Sequence, residues 1–338
     1  MSRTDAIAAF LAAAGWGGAA RSPLAGDASA RRYERLDRAG APAILMDVPP
    51  ESGLRIEPFL AVDAWLRDGG FSAPAVLAAD PATGLALVED LGDDLYARLC
   101  TGDPATEATL YAAAVDVLAD VQRRPPPSGD WSPPPYDRAF LMRELGLVSE
   151  WYLPAATGAA PARALVAEYD ALCEAALAPV ADARTAPVLR DYHAENLLWL
   201  PGRSGPARVG ILDFQDMLVG HPAYDLASLL ADARRDVPEA LRAAMTERYL
   251  ARTGADRDSF LLAAATLSAQ RNLKILGLFT RLCRRDGKPR YLGYLPRVWG
   301  NLAQDLAHPA LAALAAFVRR HVPAPEAAVL ARLGEGQR

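Results

Sequence analysis

Three polar side chains near the middle of the sequence have types and spacing that suit phosphate chemistry. Asp191 is followed five positions later by Asn196, and Asp213 ends the next apolar run, in ILDF. Mg²⁺ binds carboxylate and amide oxygens together with phosphate oxygens and water. A separate carboxylate beside an attacking hydroxyl can orient it and accept its proton. The three residues therefore favour transfer of a phosphoryl group, in which charge stabilisation matters most.

A β-hairpin is predicted to bring two of these side chains together. LLWL at 197–200 and RVGILDF at 208–214 flank the turn-rich segment PGRSGPA. Asn196 precedes the first strand and Asp213 ends the second, so both can reach one metal ion. The residue order also matches the R-D-x-x-x-x-N and D-F-x pattern of kinases, which reads RDYHAEN and DFQ here.

These motifs resemble the aminoglycoside phosphotransferase and choline kinase superfamily. The run GHPAYDLASLL at 220–230 extends the similarity, which covers nearly the whole chain. The resemblance implies that Asp191 is the catalytic base and that Asn196 and Asp213 bind the metal. It implies ATP and Mg²⁺ as cofactors. It also implies that His193 braces the catalytic loop.

The pattern of elements predicts an α+β, two-lobed chain, and the resemblance implies that this fold is protein-kinase-like. Short strands are expected near 31–38, 42–49, 74–79 and 84–90, with a helix at 57–68. From about residue 105 the periodicity is helical, and the proline-rich segment 124–135 interrupts it. The expected helices are 105–123, 137–153, 161–178, 223–234, 237–252, 258–283 and 309–320. The sequence therefore predicts a small β-rich N-lobe at 1–91 and a larger helical C-lobe at 92–338.

Two segments of the N-lobe are expected at the nucleotide. A turn precedes the first strand where the resemblance places a phosphate-covering loop, and its residues are Gly26, Asp27, Ala28 and Ser29. Backbone N–H groups of such a turn can hold phosphate oxygens. The segment VEDLG corresponds to the connection between the lobes, where adenine would bond to backbone atoms near Glu89, Asp90 and Leu91.

The N-lobe lacks one positively charged residue that the family usually has. The family usually places a lysine on the third strand to hold the α- and β-phosphates, but ILMDV at 44–48 has none. A guanidinium group binds phosphate well, and Arg31 and Arg32 follow the predicted turn. If neither arginine serves, a catalytically inactive nucleotide-binding protein is the alternative.

The acceptor is predicted from a narrower resemblance. MDVPPE at 46–51, RDYHAENL, DFQD and the segment 270–299 resemble bacterial kinases that phosphorylate the anomeric C1 hydroxyl of N-acetylmuramate and N-acetylglucosamine in cell-wall sugar recycling. The candidate sugar-binding residues are His193, Glu195, Asp216, Arg271 and Lys274. The alternative acceptors are an aminoglycoside, choline, homoserine or a protein side chain. The basic stretch at 281–290 argues against a polycationic acceptor.

Bulk properties exclude several other classes of protein. The net charge is −5, whereas a general nucleic-acid binder is usually basic. The three cysteines are far apart and odd in number, so neither a disulfide framework nor a zinc site is predicted. The apolar stretch 6–14 suits a short amphipathic helix rather than a signal peptide. We therefore expect a cytoplasmic enzyme that acts on a small molecule, without a nucleic-acid or membrane partner.

Overall fold

The computed structural model describes residues 2–24, 30–182 and 185–335. Contacts between Cα atoms divide the chain into two compact units that interleave along the sequence. The first unit comprises 1–117, 126–133 and 195–217, and the second comprises 118–125, 134–194 and 218–338. The predicted lobes, in contrast, were two contiguous segments that meet at residue 91, and that division stays a prediction.

The first unit is built on a five-stranded antiparallel sheet with the strand order β1-β2-β3-β5-β4. Its strands are β1 Ala20–Pro23, β2 Arg32–Arg38, β3 Ala41–Asp47, β4 Val76–Asp80 and β5 Leu85–Glu89. Helix α1 Arg3–Ala13 packs Ile7 and Leu11 against Leu36 and Leu45 of the sheet. Strand β1 was not predicted, because its four residues are all exposed and carry no alternation.

A β-hairpin completes the first unit. Strands β7 Leu197–Trp199 and β8 Val209–Ile211 pair antiparallel, with Leu197 opposite Ile211. Helix α2 Glu57–Asp68 stacks Phe59 on Phe214 at 5.2 Å between ring centroids. The hairpin and this stack fix the segment that carries Asp213.

Most of the remaining helices form the second unit, which also contains two short strands. The helices after α2 are α3 Tyr96–Leu99, α4 Pro104–Gln122, α5 Arg138–Leu147, α6 Leu153–Thr157, α7 Arg163–Leu177, α8 Ala223–Leu230, α9 Glu239–Thr253, α10 Arg257–Arg284, α11 Leu295–Asp305, α12 Ala312–His321 and α13 Ala327–Gly334. Of these, α3 and most of α4 belong to the first unit. Strands β6 Ala186–Val188 and β9 Leu218–Gly220 pair antiparallel within the second unit.

The long helix α10 organises the second unit. It packs against α5, α8 and α11, and its buried face includes Gln270, Arg271 and Asn272. Close packing at Gly277 is required, because a Cβ there would lie 2.2 Å from the Leu147 carbonyl oxygen. No helix among the described residues is both long and apolar enough to cross a membrane.

The sequence predicted most helices but not their interruptions. The expected single helix 137–153 is instead α5, a π-helical turn at Val148–Tyr152, and α6. The expected helix 223–234 is shorter, since α8 ends at Leu230. Helices α11 and α13 were not predicted.

Candidate active site

The backbone that leads into Asp191 is held by helix α8. Both carboxylate oxygens of Asp225 accept main-chain hydrogen bonds, from Leu189 N at 2.7 Å and from Arg190 N at 2.8 Å. The Ser228 hydroxyl donates to the Arg190 carbonyl at 3.1 Å. Arg190 itself has φ +69°, a left-handed conformation that costs a non-glycine residue about 1–2 kcal/mol. The loop is therefore strained and well supported at the residue before the predicted base.

A buried carboxylate, Glu144 on α5, is the centre of the network behind the loop. It accepts from Arg190 Nη2 at 2.7 Å, from Lys274 Nζ at 2.8 Å and from the Tyr136 hydroxyl at 2.5 Å. Gln270 Nε2 adds a fourth donor at 3.1 Å. Burial alone would raise the pKa of Glu144, but Lys274 and Arg190 lower it to about 2.

Asp191 is held ionised by the surrounding cations. Burial raises the pKa of its carboxyl, but interaction with His193, whose ring is charged only at acid pH, and the charges of Arg190, Lys274 and Arg271 together lower it below the usual value. All five residues belong to the second unit. A carboxylate with a lowered pKa is charged at neutral pH, so Asp191 can accept a hydrogen bond from an acceptor hydroxyl.

His193, two residues after Asp191 in the same loop, is buried as a neutral ring. Burial, followed by the charge of Arg234, lowers the pKa of His193 to about 4. The Arg234 guanidinium lies 3.3 Å from His193 Nε2, and only 3% of the histidine is exposed. This location agrees with bracing of the loop more readily than with direct contact to a sugar.

The predicted metal ligands lie at one end of the hairpin in the first unit. Leu212 N donates to the Asn196 carbonyl at 2.9 Å, which fixes the two chain segments side by side. Asp213 is exposed and has φ +56°, a left-handed conformation like that of Arg190. A predicted metal ligand is therefore itself in a strained backbone conformation. The Gln215 amide donates to Asp213 Oδ1 and orients the carboxylate.

These residues fit a magnesium ion. Mg²⁺ is usually held by one or two carboxylates, with waters and substrate phosphates completing the shell. Asp213 offers one carboxylate and Asn196 one amide oxygen. Within 2–24, 30–182 and 185–335, no group of three or more histidine, cysteine, aspartate or glutamate side chains could hold a metal by itself.

The two candidate arginines differ in burial and in their neighbours. Arg31 is buried, and its guanidinium lies 3.9 Å from Asp216, whose side chain is half exposed. Burial, then the Asp213 charge, raises the pKa of the neighbouring Tyr33 to about 12, and Arg31 opposes this effect. Arg32 is exposed on β2. Arg31 is therefore the arginine close to the Asp213 end of the hairpin.

The remaining nucleotide candidates are placed only in part. Gly26, Asp27, Ala28 and Ser29 lie outside the described residues. The Glu89 side chain pairs with Arg203, and its main-chain N–H donates to the Ala75 carbonyl at 2.8 Å. Asp90 pairs with Arg35 at 2.6 Å. Because the Glu89 N–H is already engaged, contact with adenine would use other backbone atoms of the segment 89–91, and this contact stays a prediction.

The candidate acceptor residues divide by accessibility. Glu195 and Asp216 are exposed, whereas Arg271 is buried with Nη1 3.5 Å from the Ala231 carbonyl. Lys274 is engaged by Glu144 and lies 3.3 Å from the Tyr224 hydroxyl. Their role as sugar ligands stays a prediction for all five candidates, including His193.

Sequence reasoning missed Glu144 and gave no role to Arg190. A signal for Glu144 exists, because it follows Leu141 by three positions and precedes Val148 by four, on the apolar face of its helix. A charged residue at such a position requires a buried partner. The identity of that partner depends on packing between helices far apart in sequence.

Comparison with known proteins agrees with this architecture. The profile of the phosphotransferase enzyme family matches residues 21–261. The N-acetylmuramate/N-acetylglucosamine kinase of Caulobacter vibrioides is 43% identical, and the alignment covers 95% of this chain and 97% of that protein. The predicted resemblance is thereby confirmed.

Solved structures confirm the predicted kinase-like fold class, with its small antiparallel sheet and larger helical part. Choline kinase from Streptococcus pneumoniae aligns with a TM-score of 0.61 at 14% identity, covering 90% of this chain and 100% of that one. An aminoglycoside phosphotransferase from Streptomyces rimosus, in complex with ADP and streptomycin, aligns with a TM-score of 0.52 at 21% identity, covering 79% and 99%. The matched family profile spans well over half of the sequence, so the chain belongs to the phosphotransferase enzyme family.

Proposed function

We propose that the chain is an ATP-dependent kinase that phosphorylates the anomeric C1 hydroxyl of N-acetylmuramate and N-acetylglucosamine. The observation that carries this proposal is the 43% identity to a kinase described for these two sugars, over nearly the full length of both proteins. The ionised Asp191 and the Asn196–Asp213 hairpin supply the residue types that the reaction needs.

In the proposed reaction the C1 oxygen of the sugar forms a bond to the γ-phosphorus, and the bond from that phosphorus to the β,γ-bridging oxygen breaks. ADP leaves with the electron pair, and Asp191 accepts the hydroxyl proton. Asp191 acts mainly by orienting the hydroxyl, because a carboxylate with a low pKa is a weak base in the ground state.

Residues of the first unit are proposed to bind the phosphates and the metal ion that neutralise each other's charge. Magnesium, when bound, neutralises charge on the phosphate oxygens, and Asn196 and Asp213 would hold it. Arg31 would take the place of the family's lysine, since its guanidinium is buried beside the Asp213 end of the hairpin. The turn at 26–29 and the segment at 89–91 are proposed to contact the phosphates and the adenine.

The experiment that tests this proposal identifies which hydroxyl of the sugar is phosphorylated. Incubation with ATP, Mg²⁺ and N-acetylmuramate, followed by ³¹P NMR, should show a sugar 1-phosphate whose signal is split by the anomeric proton. The methyl glycoside of N-acetylglucosamine is the matched control, because its C1 oxygen carries no proton to lose. Transfer to this glycoside, or a 6-phosphate product, would contradict the proposal.

The rivals give different results in the same assay. A kinase of an aminoglycoside, choline or homoserine would release ADP with that acceptor and not with the amino sugars. A nucleotide-binding protein without activity would release no ADP with any acceptor. Location in the cytoplasm is proposed with the function, because ATP and reduced cysteines are found there.

A further inference from the structure

We propose that Arg190 is a positioning residue for phosphoryl transfer, clamped by Glu144 and Lys274 so that its strained backbone presents Asp191 to the acceptor. The inference rests on the proposed function and refines it. It also changes the expected role of Lys274, from a ligand of the sugar to a part of this clamp.

The Arg190 backbone is fixed from both sides. Its N–H donates to Asp225 at 2.8 Å, and its carbonyl accepts from Ser228 at 3.1 Å. These contacts hold φ at +69°, in the region that favours glycine. Because Asp191 follows directly, a relaxation of residue 190 to negative φ would turn the Asp191 carboxylate.

The Arg190 side chain is held by one charged hydrogen bond and by two aromatic rings. Nη2 donates to Glu144 Oε1 at 2.7 Å. The guanidinium carbon lies 5.5 Å from the centroid of the Phe140 ring and 5.9 Å from that of Tyr136, within the range of cation–π attraction. The side chain thus anchors the strained residue to helix α5 and to the segment before it.

Glu144 is held in turn by donors from two other parts of the unit. Lys274 and Gln270 reach it from α10 at 2.8 Å and 3.1 Å, and Tyr136 donates from the loop before α5. Only 13% of the Lys274 side chain is exposed. An ammonium group engaged by a buried carboxylate has little freedom to contact a sugar, so the geometry assigns Lys274 to the clamp.

A pair of substitutions at Arg190 separates the backbone from the side chain. Arg190→Gly removes the clamp but accepts φ +69° without strain, whereas Arg190→Ala removes the clamp and keeps the strain. We expect kcat to fall by about tenfold or more in the alanine variant, less in the glycine variant, with KM for ATP and sugar within about threefold of wild type. Equal kcat in alanine variant and wild type, or a glycine variant no better than the alanine variant, overturns the proposal.

Lys274→Met distinguishes the clamp from sugar binding. The clamp predicts a fall in kcat at nearly unchanged KM for the sugar, since a positioning residue acts on the transition state. A rise in sugar KM with kcat preserved overturns it in favour of the original expectation. Asp305→Asn is the matched control, because it removes another enclosed carboxylate bonded to α10, through Asn272 at 2.8 Å, and should leave kcat near wild type.

A readout without turnover keeps the two proposals distinguishable. Urea unfolding followed by circular dichroism should give a lower midpoint for Arg190→Ala than for Arg190→Gly, whatever the acceptor of the enzyme is. If wild type forms no sugar phosphate, the proposed function fails while this comparison still tests the strain. If wild type is active and the two midpoints are reversed, only the clamp fails.

Discussion

At the scale of single residues, the site depends on carboxylates whose ionisation is set by their neighbours. Asp191 and Glu144 both have a lowered pKa, because cations of the second unit outweigh the effect of burial. Asp225 has the opposite shift, since burial raises its pKa to about 7 even though it accepts two main-chain hydrogen bonds. The same carboxylate group thus has three different environments: beside the proposed acceptor site in Asp191, among cations in Glu144, and on main-chain N–H groups in Asp225.

Asp191→Asn should remove turnover while nucleotide binding remains. The amide keeps the size of the side chain but cannot accept a proton, and loss of general base catalysis typically costs about 10²- to 10⁴-fold in rate. Single-turnover assays with radiolabelled ATP, together with calorimetric titration of ATP, measure both quantities. Substantial activity in this variant would contradict the assigned role, and Asp182→Asn, an exposed acid paired with Arg138, is the control.

His193 should make the protein less stable as the pH falls from about 6.5 to about 4. The pKa of the buried ring is lowered to about 4, from an ordinary value of 6.5, so the unfolded chain binds the proton first. This contribution to stability is therefore present above pH 6.5 and is lost progressively down to the folded-state pKa, by roughly 3 kcal/mol.

The measurement for His193 is urea unfolding across this pH range. His193→Gln should show a flatter dependence of the unfolding free energy on pH than wild type. His308→Gln is the control, because that histidine caps a short 3₁₀ turn far along the sequence from the catalytic loop. An identical slope in wild type and His193→Gln would argue that the ring titrates normally in the folded protein.

At the scale of elements, the approach of α10 to the end of α5 should be intolerant of any side chain. A Cβ at Gly277 would lie 2.2 Å from the carbonyl oxygen of Leu147 and 2.6 Å from its Cβ. Gly277→Ala should therefore destabilise the protein by about 1–3 kcal/mol or more, as overpacked cores do. Gly300→Ala on α11 is the matched control, since nothing lies within 4 Å of its added Cβ, and it should be neutral or stabilising. Equal thermal unfolding midpoints for the two variants would contradict this reading of the packing.

Local sequence patterns predicted some of these elements and missed others. Helix α10 was predicted at 258–283 and spans Arg257–Arg284, because its apolar periodicity is long and Asp256 caps its start. The hairpin around Asn196 and Asp213 was predicted from its two apolar runs and turn residues. Strands β6 and β9, with three residues each, were not predicted, since so short a run has no measurable alternation.

The network behind the catalytic loop shows the limit of such patterns. The pairing of Glu144 with Lys274 joins residues 130 positions apart in sequence, and only the packing of α5 against α10 brings them together. The left-handed conformation of Arg190 was equally hidden, because arginine carries no signal for positive φ. Motif spacing and the family resemblance suggest roles for individual residues, and these roles stay predictions. The contacts that support those residues could not be predicted from the sequence.

At the scale of the whole molecule, the choice of basic residues limits how phosphate can be bound. The chain has thirty-four arginines and two lysines, Lys274 and Lys288. Both lysines belong to the second unit, so the first unit, which carries Asn196, Asp213 and Arg31, contains no lysine. Any side-chain cation that this unit offers to a triphosphate at neutral pH is therefore an arginine or a histidine, and the unit contains no histidine either.

Arginine chemistry should consequently control nucleotide affinity. Arg31→Met should raise KM for ATP by about tenfold or more, because a charge-assisted hydrogen bond contributes about 1.5–3 kcal/mol and about 1.4 kcal/mol corresponds to a factor of ten. Arg32→Met removes the exposed neighbouring charge and should change KM little. Phenylglyoxal, which modifies arginine, should inactivate wild type in a manner that ATP slows, whereas a lysine-selective reagent should cause no inactivation that ATP prevents. ATP-sensitive inactivation through lysine would place the phosphates against the second unit's cations instead, and the lysine-free first unit would lose its assigned role. A larger effect at Arg32 than at Arg31 would keep the phosphates on the first unit but contradict the choice of Arg31.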